Sequence, residues 1–120
     1  MKADIATHLK ELLELEDEEI QEFYDAFIKE FDKSCAELQE DGVDADFQKL
    51  RIITHTMFGY CENMGAMDLF ALAKELNTAA KAEDVPACQA SIQKIFQMHE
   101  AYLAEGWAFF QGGFPAARTT

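Results

Sequence analysis

The chain has 120 residues, 49% of them hydrophobic, with two prolines, six glycines and a formal net charge of −13. That length buries a core without metals or disulfides, and the composition predicts one mostly helical domain over 1–120, with its core at about 12–110. The charge excludes nucleic acid, whose phosphates demand clustered Lys and Arg, and it disfavours anionic membrane surfaces.

The N-terminus lacks the continuous apolar stretch of a signal peptide, and no later run is long enough to cross a bilayer, so the predicted location is cytoplasmic. Cys35, Cys61 and Cys88 are odd in number and widely spaced. They read as buried, reduced thiols rather than as a disulfide framework. Cys/His pairs with zinc spacing are absent from the sequence, and no metal site is expected.

Residues 4–14 form a short amphipathic segment with Ile5, Leu9, Leu12 and Leu13 on one side, a start that Asp4 can cap, and His8 on a solvated flank. A long helix follows from Asp17 to about Glu40, opened by acidic residues that suit the positive end of the helix dipole. Its apolar stripe is Ile20, Phe23, Tyr24, Phe27, Phe31, Cys35 and Leu38, and Asp41-Gly42 ends it.

Asp44 is the expected cap of the next helix, which runs to about Asn63. Phe47, Leu50, Met57, Cys61 and Met64 recur there at helical spacing, with Thr54 in the one polar slot of the stripe. His55 lies about 100° of rotation off that stripe. Gly59, four residues on, is its neighbour on the helix surface. A glycine inside a helix costs roughly 1 kcal/mol relative to alanine, and the reading offered for it is clearance beside the imidazole.

Asn63-Met64-Gly65 breaks this helix, with Gly65 suited to a left-handed turn. The following helix spans roughly Ala66 to Ala82, with Leu69, Leu72, Leu76 and Ala79 inward. After the Glu83-Asp84 turn, Pro86 fits the first turn of the last helix. Its stripe is Cys88, Ile92, Ile95, His99, Tyr102 and Leu103, and His99 reads as a hydrogen-bonded core residue. Gly112-Gly113 and Pro115 stop the helix, leaving 112–120 as a flexible tail. Trp107, Phe109, Phe110 and Phe114 are read as packing on the first helix. The chain is expected to be a monomer, with that aromatic patch as the source of any weak self-association. The predicted fold is all-α: an antiparallel up-down four-helix bundle with an additional short N-terminal helix.

His55-Thr56-Met57-Phe58-Gly59, followed by Gly65-Ala66 and Leu69, resembles the phosphoacceptor segment of histidine phosphotransfer (HPt) domains. That family carries a pattern close to H-x-L-K-G, then a second glycine ten residues after the histidine, then a leucine-rich helix. The order of helix lengths and apolar positions extends the resemblance from about Leu12 to Leu103. It implies a stand-alone phosphorelay carrier that accepts a phosphoryl group on His55 from a receiver-domain aspartate and passes it to another receiver. The partners implied are response-regulator receiver domains or a hybrid histidine kinase. No intrinsic cofactor is implied, since the receiver brings the magnesium ion, and the domain is a carrier rather than a complete enzyme.

The imidazole chemistry agrees with that role. A neutral ring has one unprotonated nitrogen able to attack phosphorus, and phosphoryl transfer needs in-line positioning and charge neutralisation more than covalent machinery. Ile52, Phe58, Gly59 and Glu62 share or border the His55 face as a docking patch; partial burial of Ile52 and Phe58 against a neighbouring helix is the plainer reading of those two. The chain departs from the family at Phe58, where a lysine is usual, at Asn77, where relatives often have glutamate, and at Tyr60, where small residues are common. Arg51, one turn before His55, is the candidate phosphoryl-supporting cation, with Lys49 and Lys74 as lesser ones. The alternative function is a pseudo-HPt module that binds receivers or kinases without efficient transfer, because Phe58 replaces the lysine. A ferritin-like metal bundle requires Glu-x-x-His pairs, and the residues three before His8, His55 and His99 are Ile5, Ile52 and Phe96, so that reading fails.

Overall fold

A computed structural model describes residues 16–41 and 46–111. They form four helices: α1 (Asp17–Asp41), α2 (Phe47–Met64), α3 (Met67–Lys81) and α4 (Val85–Gln111). Among the described residues there is no strand, and each helix packs on its chain neighbours while α1 closes on α4. The fold is an all-α helical bundle. Cross-helix pairs give the directions. Thr54 meets Asn77 while Phe58 meets Phe70, so α2 and α3 run antiparallel. Tyr24 meets Tyr102 while Asp32 meets His99, so α1 and α4 do too. The segment 4–14, His8 and Asp44, the tail 112–120, and the side chains of Trp107, Phe109 and Phe110 lie outside what is described.

The core is a column of large side chains, including Phe31, Leu38, Leu50, Met57, Leu69, Leu76, Ile95 and Tyr102, each essentially sealed from solvent. Burying each stabilises by roughly 1.5–3 kcal/mol, and the rings of Phe27, Phe31 and Tyr102 add tilted and edge-on contacts at 5.6–5.9 Å. The three cysteines are buried and free. Burial, with Asp32 beside it, pushes the Cys35 thiol up to about 12; burial, with Glu62, does the same to Cys61.

Chain reversals follow local chemistry. Gly65 sits at φ 72, where a Cβ would be strained. Its N–H donates to the Glu62 carbonyl at 3.2 Å while Ala66 N–H donates to Cys61 at 2.9 Å, which satisfies the end of α2. The end of α3 uses the same pair of bonds, Glu83 N–H to Ala80 and Asp84 N–H to Ala79, but with Glu83 held at φ 54. Asp84 then caps α4 by accepting from Ala87 N–H at 3.1 Å, with Pro86 inside the first turn as predicted.

Four expectations are corrected. The cap of α2 is Asp46, which directly precedes the first helical residue and whose carboxylate accepts from Lys49 N–H at 3.1 Å, within the two- to three-residue reach of a capping side chain. Phe23 is 43% exposed and Leu103 52% exposed; adjacent Tyr24 and Tyr102 take the inward positions, and one residue of helix turns a side chain by about 100°. Leu72 is only half-buried, and Ala73 and Ala80 are among the buried residues of α3. Ile53 joins the buried stripe of α2. His99 is hydrogen-bonded as read, its Nε2 meeting Asp32 Oδ1 at 2.5 Å and its ring edge-on to Phe31, but it is half-buried at the margin of the core rather than within it.

Candidate functional site

The site is built by one helical hairpin. The tight reversal at Gly65 folds α3 back along α2, and this opens a surface pocket of about 670 Å³ between the two. His55 is exposed and lines it, together with Arg51, Ile52 and Phe58 from α2 and Asn77 and Lys81 from α3. Glu83 reaches the same pocket from the α3–α4 turn.

Behind the imidazole lies a fixed polar pair. Thr54 is fully buried; its hydroxyl donates to the Arg51 carbonyl at 3.0 Å and accepts from the Asn77 amide nitrogen at 2.9 Å. The polar slot noticed in the apolar stripe is therefore an anchor for Asn77, which holds that side chain at the pocket wall. Beside the imidazole lies an aromatic pair. Phe58 is half-buried, its ring edge-on to His55 at 6.3 Å and tilted against Phe70 at 5.2 Å. On the remaining side, a Cβ built on Gly59 would meet nothing within 4 Å. The His55 face is open there.

Of the residues singled out from sequence, His55, Arg51, Ile52 and Phe58 share the pocket, and Gly59 adjoins it as open surface. Ile52 is 60% exposed, so its partial burial is excluded, whereas Phe58 does pack partly against the core. Glu62 is exposed two turns from His55 but does not line the pocket. Lys49 does not line it either, and Lys74 lies over the Phe70 ring at 5.9 Å and borders a different groove, between α3 and α4. Tyr60 turns inward: its hydroxyl donates to Ser34 Oγ at 2.9 Å, and burial raises its pKa despite that bond. The cation that sequence reasoning missed is Lys81. Pairing Thr54 with Asn77 in an antiparallel hairpin brings Arg51 level with Ala80 and Lys81, a relation invisible along a single helix.

Among the described residues no group of His, Cys, Asp and Glu could hold a metal ion, and no helix is long and apolar enough to cross a membrane. A family model described as Hpt domain matches residues 22–105.

The chain belongs to the Hpt domain family. Hpt domains are phosphotransfer carriers of two-component signalling and interact with receiver domains and kinases. The match covers all of α2 and α3, hence the whole His55 pocket, and most of α1 and α4. No curated protein and no solved structure matches the chain.

Proposed function

We propose that this Hpt domain is a phosphorelay carrier with His55 as its phosphoacceptor. The unprotonated ring nitrogen attacks the phosphorus of a receiver's aspartyl phosphate. The N–P bond forms as the P–O bond to the carboxylate breaks, the aspartate leaves with the bonding pair, and the ring keeps its other proton. Transfer to a second receiver is the reverse reaction. In this proposal the receiver brings the magnesium ion, and this side contributes the nucleophile and neighbouring cations.

The observation that carries this reading is the exposed His55 on a helix face that Gly59 leaves open, with Arg51 one turn away in the same pocket. Arg51 supports the phosphoryl charge, and Ile52, Phe58, Gly59 and Glu62 form the docking surface, in which exposed Ile52 is the apolar anchor. We place the carrier in the cytoplasm, where its three buried thiols stay reduced.

A panel of phosphorylated receiver domains, incubated with wild type and with His55→Gln, tests the proposal. Acid-labile label on wild type alone supports it; label on both, or on neither, overturns it. One observation favours a second reading, a receiver-binding module without useful flux: Phe58 puts a half-buried ring where the family has a lysine. Receiver binding with no transfer from any member of the panel selects that reading.

A further inference from the structure

The pocket in front of His55 has its own charge pattern, displaced from the position the family's lysine occupies. Arg51 enters from α2 and Lys81 from the last turn of α3, and the two helices run antiparallel, so both residues line the pocket that His55 lines. Among the described residues neither cation is tied up in an ion pair, unlike Lys94, which meets Glu75 at 3.4 Å. Opposing them is Glu83, the non-glycine residue among those described with a positive φ. The hydrogen bonds that close α3 fix its backbone in that conformation, and the residue lines the same pocket. A left-handed conformation at a glutamate is a local cost that glycine would avoid.

We propose that Arg51 and Lys81 together hold the anionic phosphoryl group delivered to His55, on the Asn77 side of the imidazole rather than the Phe58 side, and that Glu83 is the counter-charge limiting how strongly they do so. This rests on the phosphoacceptor reading of His55. It assigns Lys81, on the neighbouring helix, a role shared with Arg51 on the His55 helix. The phosphoryl group is seated in the seam between α2 and α3, against the amide wall that Thr54 fixes, and Phe58 is left as an apolar docking surface.

The test uses phosphoramidate, a small donor that needs no protein partner. Its phosphorus is attacked by the imidazole nitrogen, the N–P bond to His55 forms, and ammonia leaves with the pair from the broken P–N bond. Labelling rates are compared for wild type, Arg51→Gln, Lys81→Gln, the double variant and Glu83→Gln, at low and at high salt, with His55→Gln as control. A charge separated by about 7 Å of water-like medium changes an anion's attraction enough for about a threefold effect. Each cation variant should therefore be slower by about threefold and the double variant by about tenfold, while Glu83→Gln is faster. The differences should shrink at high salt as screening sets in. Opposite signs for the cations and the carboxylate are an outcome that a merely structural role would not give. If wild type labels on His55 but the Lys81 and Glu83 variants match it at low salt, this inference is overturned and the carrier reading stands. If wild type does not label at all, both fall.

Discussion

Asn77 on α3 donates its amide to the fully buried hydroxyl of Thr54 on α2, at 2.9 Å, one residue along the chain from His55. The bond joins the two helices that form the pocket and sets the direction of the Asn77 side chain. Thr54→Val keeps the shape of the side chain and removes the acceptor, leaving an amide donor stranded at the seam. The expected loss is about 1–2 kcal/mol in urea unfolding. Asn77→Ala should cost less, because the Thr54 hydroxyl keeps the Arg51 carbonyl as acceptor. A Thr54→Val protein as stable as wild type would show that this bond contributes nothing.

Gly59 offers a case in which stability and binding move in opposite directions. Open space surrounds its Cβ position within 4 Å, and it lies inside α2. Gly59→Gln should raise stability by up to about 1 kcal/mol through helix propensity alone. The same side chain stands in the clearance beside His55 and should weaken receiver binding, read by calorimetric titration. Binding that survives the substitution removes the clearance argument.

Phe58→Lys restores the charge usual in the family but removes a ring packed on Phe70. The expected result is a loss of about 1–2 kcal/mol in thermal unfolding, from surrendered apolar area, together with faster phosphoryl transfer to His55. A variant that loses stability with no gain in rate would show that Arg51 and Lys81 already supply the needed charge.

Glu83 at φ 54 predicts that Glu83→Gly raises the melting temperature, with a gain of about 0.5–1 kcal/mol once the glycine's own chain entropy is set against the relieved strain. Glu83→Val, β-branched in the same conformation, should be less stable than wild type. Equal melting of all three proteins would mean that the turn relaxes freely.

The buried thiols give an alkaline limit to stability. Cys35 and Cys61 are held up to about 12, against a usual value of 9.0, by burial first and by Asp32 and Glu62 second. Above pH 9 the unfolded chain releases these protons and the folded chain retains them. The unfolded state then binds fewer protons, so stability falls as pH rises through this window, with a slope of up to about 1.4 kcal/mol per pH unit for each thiol. It is fully present below pH 9. Cys→Ala at both positions should flatten the slope between pH 9 and 11 in denaturant titrations.

The helix order, the break at Gly65 and the start at Pro86 were legible in the sequence because each follows from the backbone preferences of a few adjacent residues. So was the candidate nucleophile, whose neighbour Gly59 is placed by helical spacing alone. Phe23 and Leu103 were misread because each stands next to a tyrosine that fits the same stripe, and periodicity does not choose between neighbours. Asp46 was passed over for Asp44 because two acids stand two residues apart and only the donor at Lys49 decides between them. Lys81 was illegible for a deeper reason: its relation to His55 exists only once α2 and α3 are aligned, and nothing along either helix encodes that alignment.

The residues bordering the His55 pocket all lie between 47 and 83, on two consecutive helices joined by the Gly65 reversal and on the turn that follows them. Nothing from α1 or α4 is needed to complete its wall. Closing so short a stretch of chain carries little entropic cost, and local pairings of this kind form fast. The working face can therefore keep its geometry while the outer helices loosen, and slow hydrogen exchange should persist at the Thr54–Asn77 seam after it has been lost from α1.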